Sequence, residues 1–161
     1  MSSLPILNQP PRFSSIEEET FLNLVETGDA MIRPVEALFK PTGLSATQFN
    51  VLKILHAAGE DGLPCGRICE QMITRDPDMT RLLDRLEKRR LIQRIRDSDD
   101  RRVVRANLTP AAVDLLASLD EPLREVHRRQ LKHMNYDRLR ALIELLDQAR
   151  GENISPKEGS T

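Results

Sequence analysis

Residues 64–109 limit most strongly what this chain can become. Cys65, Ile68, Cys69 and Met72 recur at i, i+3, i+4 and i+7, and Met79, Leu82, Leu83 and Leu86 repeat that spacing. Each set lines one face of a short helix. The second helix turns Asp78, Thr80, Arg81, Asp84, Arg85 and Lys88 the other way. Two strand-like segments follow, residues 91–95 and 103–108, joined by a charged run at 96–102. Helix, turn, helix and basic-tipped hairpin make a winged helix-turn-helix. The expected fold is mainly α with a small β-hairpin wing, flanked by helices that serve dimerisation.

The flanks read as support. Pro5, Pro10 and Pro11 keep residues 1–14 an extended N-terminal arm. Ser15 and Glu18 form a capping box that opens a helix towards Lys40, with Phe21, Leu24, Val25, Ile32, Val35 and Phe39 in helical phase. Gly28 lies on that face, either to admit another helix closely or merely tolerated, and Pro34 predicts a kink. Ser45 and Gln48 form a second capping box, with Leu44 stapled to Phe49. The helix that follows, with Phe49, Val51, Leu52, Ile54 and Leu55, is apolar around much of its circumference and belongs in the interior. Thr109-Pro110 starts a fifth helix through Leu116, Leu119, Leu123, Val126 and Leu131, with a kink expected near Pro122. Asn135 caps a last one carrying Leu139, Leu142, Ile143, Leu146 and Ala149, stopped at Gly151. Residues 152–161 are polar and expected to be disordered.

The net charge of −1 hides an asymmetry. Residues 64–108 carry about +4 and the remainder about −5, as expected if only one part meets phosphate. No apolar run approaches the ~20 residues of a membrane span. The first residues lack the basic and apolar regions of a signal peptide. With two cysteines, a cytoplasmic location is expected. The terminal helices have more apolar stripe than a small winged module can cover. Phe21, Leu24, Leu139, Leu142 and Leu146 are therefore the expected dimer interface, the alternative being that these stripes pack on each other within one chain. The expected organisation is dimerisation helices at 15–43 and 109–151 around a DNA-binding module at 44–108.

Residues 44–49 (LSATQF), 80–87 (TRLLDRLE) and Asp100-Arg101-Arg102 running to Leu108-Thr109 together resemble the MarR family of bacterial transcriptional regulators, over roughly residues 16–150. The resemblance implies a homodimer on palindromic double-stranded DNA, with a recognition helix in the major groove and a wing in the minor groove. Members commonly repress, and many release DNA on binding small, often aromatic acids or on oxidation. The expected function is a sequence-specific DNA-binding transcriptional regulator, a repressor released by a small-molecule effector. Two departures concern local geometry. Arg90 stands where the family usually has glycine after the recognition helix, so either it adopts a strained cap or the helix ends differently, and residues 108–112 lack the glycine common after Leu-Thr.

An α-helix fits the major groove and presents its first turn to base edges. Here Arg75 and Arg81 suit guanine or phosphate, and Thr80 suits phosphate or a thymine methyl; Arg85 shares the polar face. Asp76 and Asp78 either cap the helix and pair with arginine, or, for Asp78, accept from a cytosine amino group. Arg101 and Arg102 at the hairpin tip suit a narrow minor groove, although such runs are also found as plain solvated turns. By resemblance, Asp100 braces the wing while the tip arginines reach the groove.

Other chemistries find little support. Cys65 and Cys69 fall on the apolar face of their helix, which favours a core role, with Cys65 near the helix start the more reactive thiol; a redox-gated regulator using either is the alternative. The oxidation-sensing members use a cysteine in the first helix, and none occurs there. His56, His127 and His133 show no ligand spacing. No phosphate loop or nucleophile elbow is present, so no enzyme, metal or cofactor is expected. Phe49, His56 and Met31 lie near the pocket that the family resemblance implies, but each reads equally well as ordinary structure. A winged helix that binds protein and not DNA is the remaining alternative.

Overall fold

Ser45 and Gln48 form the reciprocal cap their spacing predicts: Gln48 N–H donates to Ser45 Oγ and Ser45 N–H to Gln48 Oε1, each at 3.1 Å. They open α2 (Ala46–Ala58) in a computed structural model that describes residues 13–73, 78–97 and 102–151. Before α2 run α1 (Ile16–Phe39) and a 3-10 turn (Lys40–Thr42). After it come β1 (Leu63–Pro64), α3 (Cys65–Gln71), α4 (Met79–Lys88), β2 (Ile92–Arg96), β3 (Val104–Leu108), α5 (Pro110–Leu131) and α6 (Tyr136–Ala149). The fold is mainly α with one small antiparallel sheet. The chain divides into two compact units, Met1–Leu123 and Arg124–Thr161. No helix among the described residues is long and apolar enough to cross a membrane.

The core of the first unit lies around α2, whose Val51, Leu52, Ile54 and Leu55 are all buried. Ile68 of α3, Leu82, Leu83 and Leu86 of α4, and Leu116 and Leu119 of α5 are buried too. Each such side chain contributes about 1.5–3 kcal/mol on leaving water. From α1 only Val35 and Phe39 are buried, and Phe39 stacks on Phe49 with centroids 4.5 Å apart. The earlier apolar positions of α1 stay open: Phe21 is 64% exposed and Val25 54%. A Cβ on Gly28 would meet nothing within 4 Å. Ser15 caps α1 as expected, but Glu18 takes the N–H of Ser14 (2.6 Å) in place of that of Ser15, so the box is half made. The helix runs without interruption through Pro34, as α5 does through Pro122.

The sheet has the order β1-β3-β2. β2 and β3 form the expected hairpin, in the register Ile92↔Leu108 to Arg96↔Val104. The two-residue β1 was not expected; it pairs with β3 through Leu63↔Ala106 and Pro64↔Arg105. Gly62 makes this possible. Its φ is +59°, and a Cβ there would lie 2.2 Å from the Ala106 carbonyl oxygen. Thr109 then fixes the start of α5: its hydroxyl accepts from Ala112 N–H (3.2 Å) and donates to the Arg90 carbonyl (2.7 Å).

The second unit holds the end of α5 and α6. Asn135 caps α6 by accepting Arg138 N–H at 3.0 Å. No residue of α6 is buried: Leu139, Leu142 and Leu146 are half-buried, while Ile143 and Leu145 are exposed.

Candidate nucleic-acid interface

Burial of Leu82, Leu83 and Leu86 turns the other side of α4 outward, with Thr80, Arg81, Arg85 and Lys88 exposed. Asp78 is the cap of this helix. Its Oδ1 accepts Arg81 N–H at 3.4 Å, and its other oxygen lies 3.2 Å from the Arg81 guanidinium. The capping role weighed for Asp78 is thus realised, and it holds Arg81 at the helix start. Arg85, Arg81 and Asp78 line, with Ser45, Thr47 and Gln48 of the α2 start, a cleft of about 120 Å³. Arg75 and Asp76 lie outside the described residues, as do Asp100 and Arg101. Arg102 is described and exposed, beside the hairpin tip.

The end of α4 closes on a left-handed residue. Arg90 has φ +56°, with its N–H bonded to the Glu87 carbonyl (2.8 Å) and that of Leu91 to the Leu86 carbonyl (3.0 Å). This is a Schellman closure with arginine where glycine is normally found, the strained cap of the two alternatives that the departure from the family pattern left open. Next to it, Arg89 reaches back over the chain and donates to the carbonyls of Thr42 (2.6 Å) and Gly43 (2.8 Å).

The hairpin is braced from both faces. Arg94 of β2 donates through Nε to Glu87 (2.9 Å) and through Nη2 to Glu87 (2.6 Å) and Asp84 (2.5 Å), both on α4. That guanidinium holds the Glu87 carboxyl below its ordinary range. On β3, Arg105 pairs with Asp97 at 3.3 Å and donates to the carbonyls of Asp61 and Gly62. Asn107 reaches the Glu60 carbonyl at 2.6 Å. Among the described residues Glu87, Asp84 and Asp97 are acids that brace the wing, while the Asp100 singled out from the family pattern lies outside them.

Several of these groups carried no signal in the sequence. Arg94, Arg105 and Arg89 sit among many arginines, and only tertiary contacts separate braces from exposed cations. Asn50 is another: its Oδ1 accepts Ile73 N–H at 3.0 Å, tying the end of the α3 region to α2.

The cysteines depart from expectation. α3 is seven residues long and buries only Ile68, so Cys69 is exposed and Cys65 only half-buried. The apolar stripe is cut short because the helix starts at Cys65 and ends at Gln71. Cys65 is not activated by its place at the helix start; burial pushes its thiol up, outweighing the nearby Arg94. Among the described residues no group of three or more His, Cys, Asp or Glu could hold a metal ion.

The model of the MarR family matches residues 44–104, which hold α2, the two module helices and the start of the hairpin's second strand. A MarR transcription factor from Planctomyces limnophilus is 40% identical in sequence, with a TM-score of 0.65 over 85% of this chain and 99% of that one. A MarR variant from E. coli, solved in complex with operator DNA, shares the fold at 20% identity, with a TM-score of 0.75 over 84% of this chain and 99% of that one. An uncharacterized HTH-type transcriptional regulator of Bacillus subtilis (strain 168), YhbI, is 27% identical over 101 residues, or 60% of this chain. The match spans 64% of that relative's length. A capped helix with an arginine-bearing outer face, a braced hairpin and these likenesses lead to one assignment: this chain belongs to the MarR family of transcription regulators.

Proposed function

We propose that two copies of this chain bind palindromic double-stranded DNA sequence-specifically, as a repressor that a small aromatic acid releases. The observation that carries the DNA reading is α4, whose exposed face offers Thr80, Arg81 and Arg85 beside a hairpin flanked by Arg96 and Arg102. In this reading residues 44–108 are the DNA-binding module and Arg75 and Arg101 complete its cationic set. Residues 15–43 and 109–151 form the dimer, with Phe21, Leu24, Leu139, Leu142 and Leu146 in its interface. Exposure of the first half of α1 supports that part, because an apolar stripe of this length invites a second copy. The E. coli relative in complex with operator DNA has the same fold. The setting would be cytoplasmic.

A groove of about 430 Å³ beside the end of α1 and the start of α2 supports the effector reading. Arg33 and Lys40, with Glu36 between them, leave one net positive charge for a carboxylate, and Ala37 and Leu44 give an apolar wall to a ring. Phe49 is half-buried against Phe39 and His56 is exposed; neither they nor Met31 lines it.

Selection of bound duplexes from a random pool, followed by competition with benzoate, tests the whole reading. A palindromic consensus whose occupancy falls with benzoate is expected, and affinity should drop steeply with salt. Random sequences at the end of selection would defeat the DNA reading. Binding indifferent to benzoate would defeat the aromatic-acid part alone.

A further inference from the structure

We propose that Arg94 is a positioning residue for DNA binding: it locks the hairpin to α4, so that the Arg81 face and the Arg102 end meet the duplex as one rigid body. This rests on the DNA reading above. The geometry is specific. The carboxylate of Glu87 accepts the backbone N–H of Arg94 (3.0 Å) as well as its Nε and Nη2, while Nη2 also reaches Asp84. Both acids project from α4, and Arg94 sits in the middle of β2, an edge strand of the sheet. One guanidinium and one carboxylate therefore join the helix to the hairpin at both side chain and main chain.

The covalent path between α4 and β2 is only residues 89–91, with Arg90 in a left-handed conformation. Pairing with β1, Arg105, Asn107 and the buried Ile92 and Ala106 hold the hairpin to the rest of its unit, but its angle to α4 itself is set by that short path and by Arg94. With the brace in place, a duplex engaged by α4 finds the hairpin already oriented, and the second contact forms without further loss of freedom. The brace also sets charge: Asp84 and Glu87 would otherwise present two bare carboxylates beside a phosphate-binding face.

Positioning and charge predict opposite signs for one substitution. Glu87→Gln breaks the brace and removes a negative charge. If charge alone mattered, DNA would bind more tightly; if Arg94 positions the hairpin, binding weakens.

The experiment uses the full chain and the duplex that the wild type selects from a random pool. Affinities are measured for wild type, Glu87→Gln and Arg94→Gln, each with and without Arg102→Ala. Both brace variants should bind about 10-fold more weakly. The Arg102→Ala penalty, about 10-fold in the wild type, should shrink to about 3-fold or less in both. A mere loss of folded protein would lower affinity yet leave the Arg102→Ala ratio unchanged. Should Arg94→Gln fail to fold, the near-isosteric Glu87→Gln gives the same readout. Tighter or unchanged binding by Glu87→Gln, or an undiminished Arg102→Ala penalty, overturns the proposal. A wild type that selects no duplex overturns the DNA reading instead, and the brace then has no duplex to serve.

Discussion

The winged module and the first half of α1 use apolar residues in opposite ways. Around α2 nearly every large aliphatic side chain is buried within its own chain, and even the exposed face of α4 is organised by caps and ion pairs. From Ile16 to Val25, α1 leaves Ile16, Phe21, Leu22, Leu24 and Val25 exposed. The module thus holds the information for its own folding. The first half of α1 has amphipathic sequence whose apolar side stays exposed among the described residues.

The sharpest way to break that contrast is a matched pair of truncations. Phe39→Ala empties a fully buried site that stacks on Phe49 and should cost about 4 kcal/mol in chemical denaturation. Phe21→Ala, at the same ring size but exposed, should cost a diluted monomer no more than about 0.5 kcal/mol. Equal losses would erase the distinction.

A charge on the open face tests what that face is for. Phe21→Glu should weaken self-association by about 30-fold or more, read by sedimentation, while leaving the module's circular dichroism intact. An unchanged association constant would remove Phe21 from the interface.

Two smaller effects sharpen the account of the module. Arg90→Gly relieves a left-handed residue and should raise unfolding free energy by about 1 kcal/mol. The Glu87 carboxyl is depressed by Arg94, so on acidification the unfolded chain takes up a proton there before the folded one does. Its contribution is present in full above the ordinary glutamate value of about 4.3 and is lost as pH falls through the lower folded value. Both partners are partly open to solvent, which limits the effect to under about 1 kcal/mol. Glu87→Gln should therefore lower the neutral plateau of a stability–pH curve by under about 1 kcal/mol and flatten its acid limb.

What could be read from the sequence was local. The Ser45–Gln48 box, the Thr109 and Asn135 caps and the buried circumference of α2 each depend on neighbours a few positions away, whereas the left-handed Arg90 was one of two outcomes suggested by the family resemblance. What escaped was either too short or too distant. β1 is two residues long and exists only because Gly62 lets the chain approach Ala106. The α3 stripe was overextended because periodicity does not say where a two-turn helix stops. Arg89, Arg94 and Arg105 could not be told from exposed cations, since their partners lie between 7 and 47 residues away. The exposed arginines of α4 were legible as a pattern of charge, and the contacts that hold Arg81 at the helix start came only with the structure.

The grip of Arg89 on the Thr42 and Gly43 carbonyls has a mechanical corollary. A cylinder seated on leucines alone is free to roll about its long axis, because apolar contacts resist separation better than torsion. Two directional bonds at the far end, planted in the joint between α1 and α2, act as a key against that rotation. The angle at which Thr80 and Arg85 face outward is thereby referenced to a turn that lies 46 residues before Arg89.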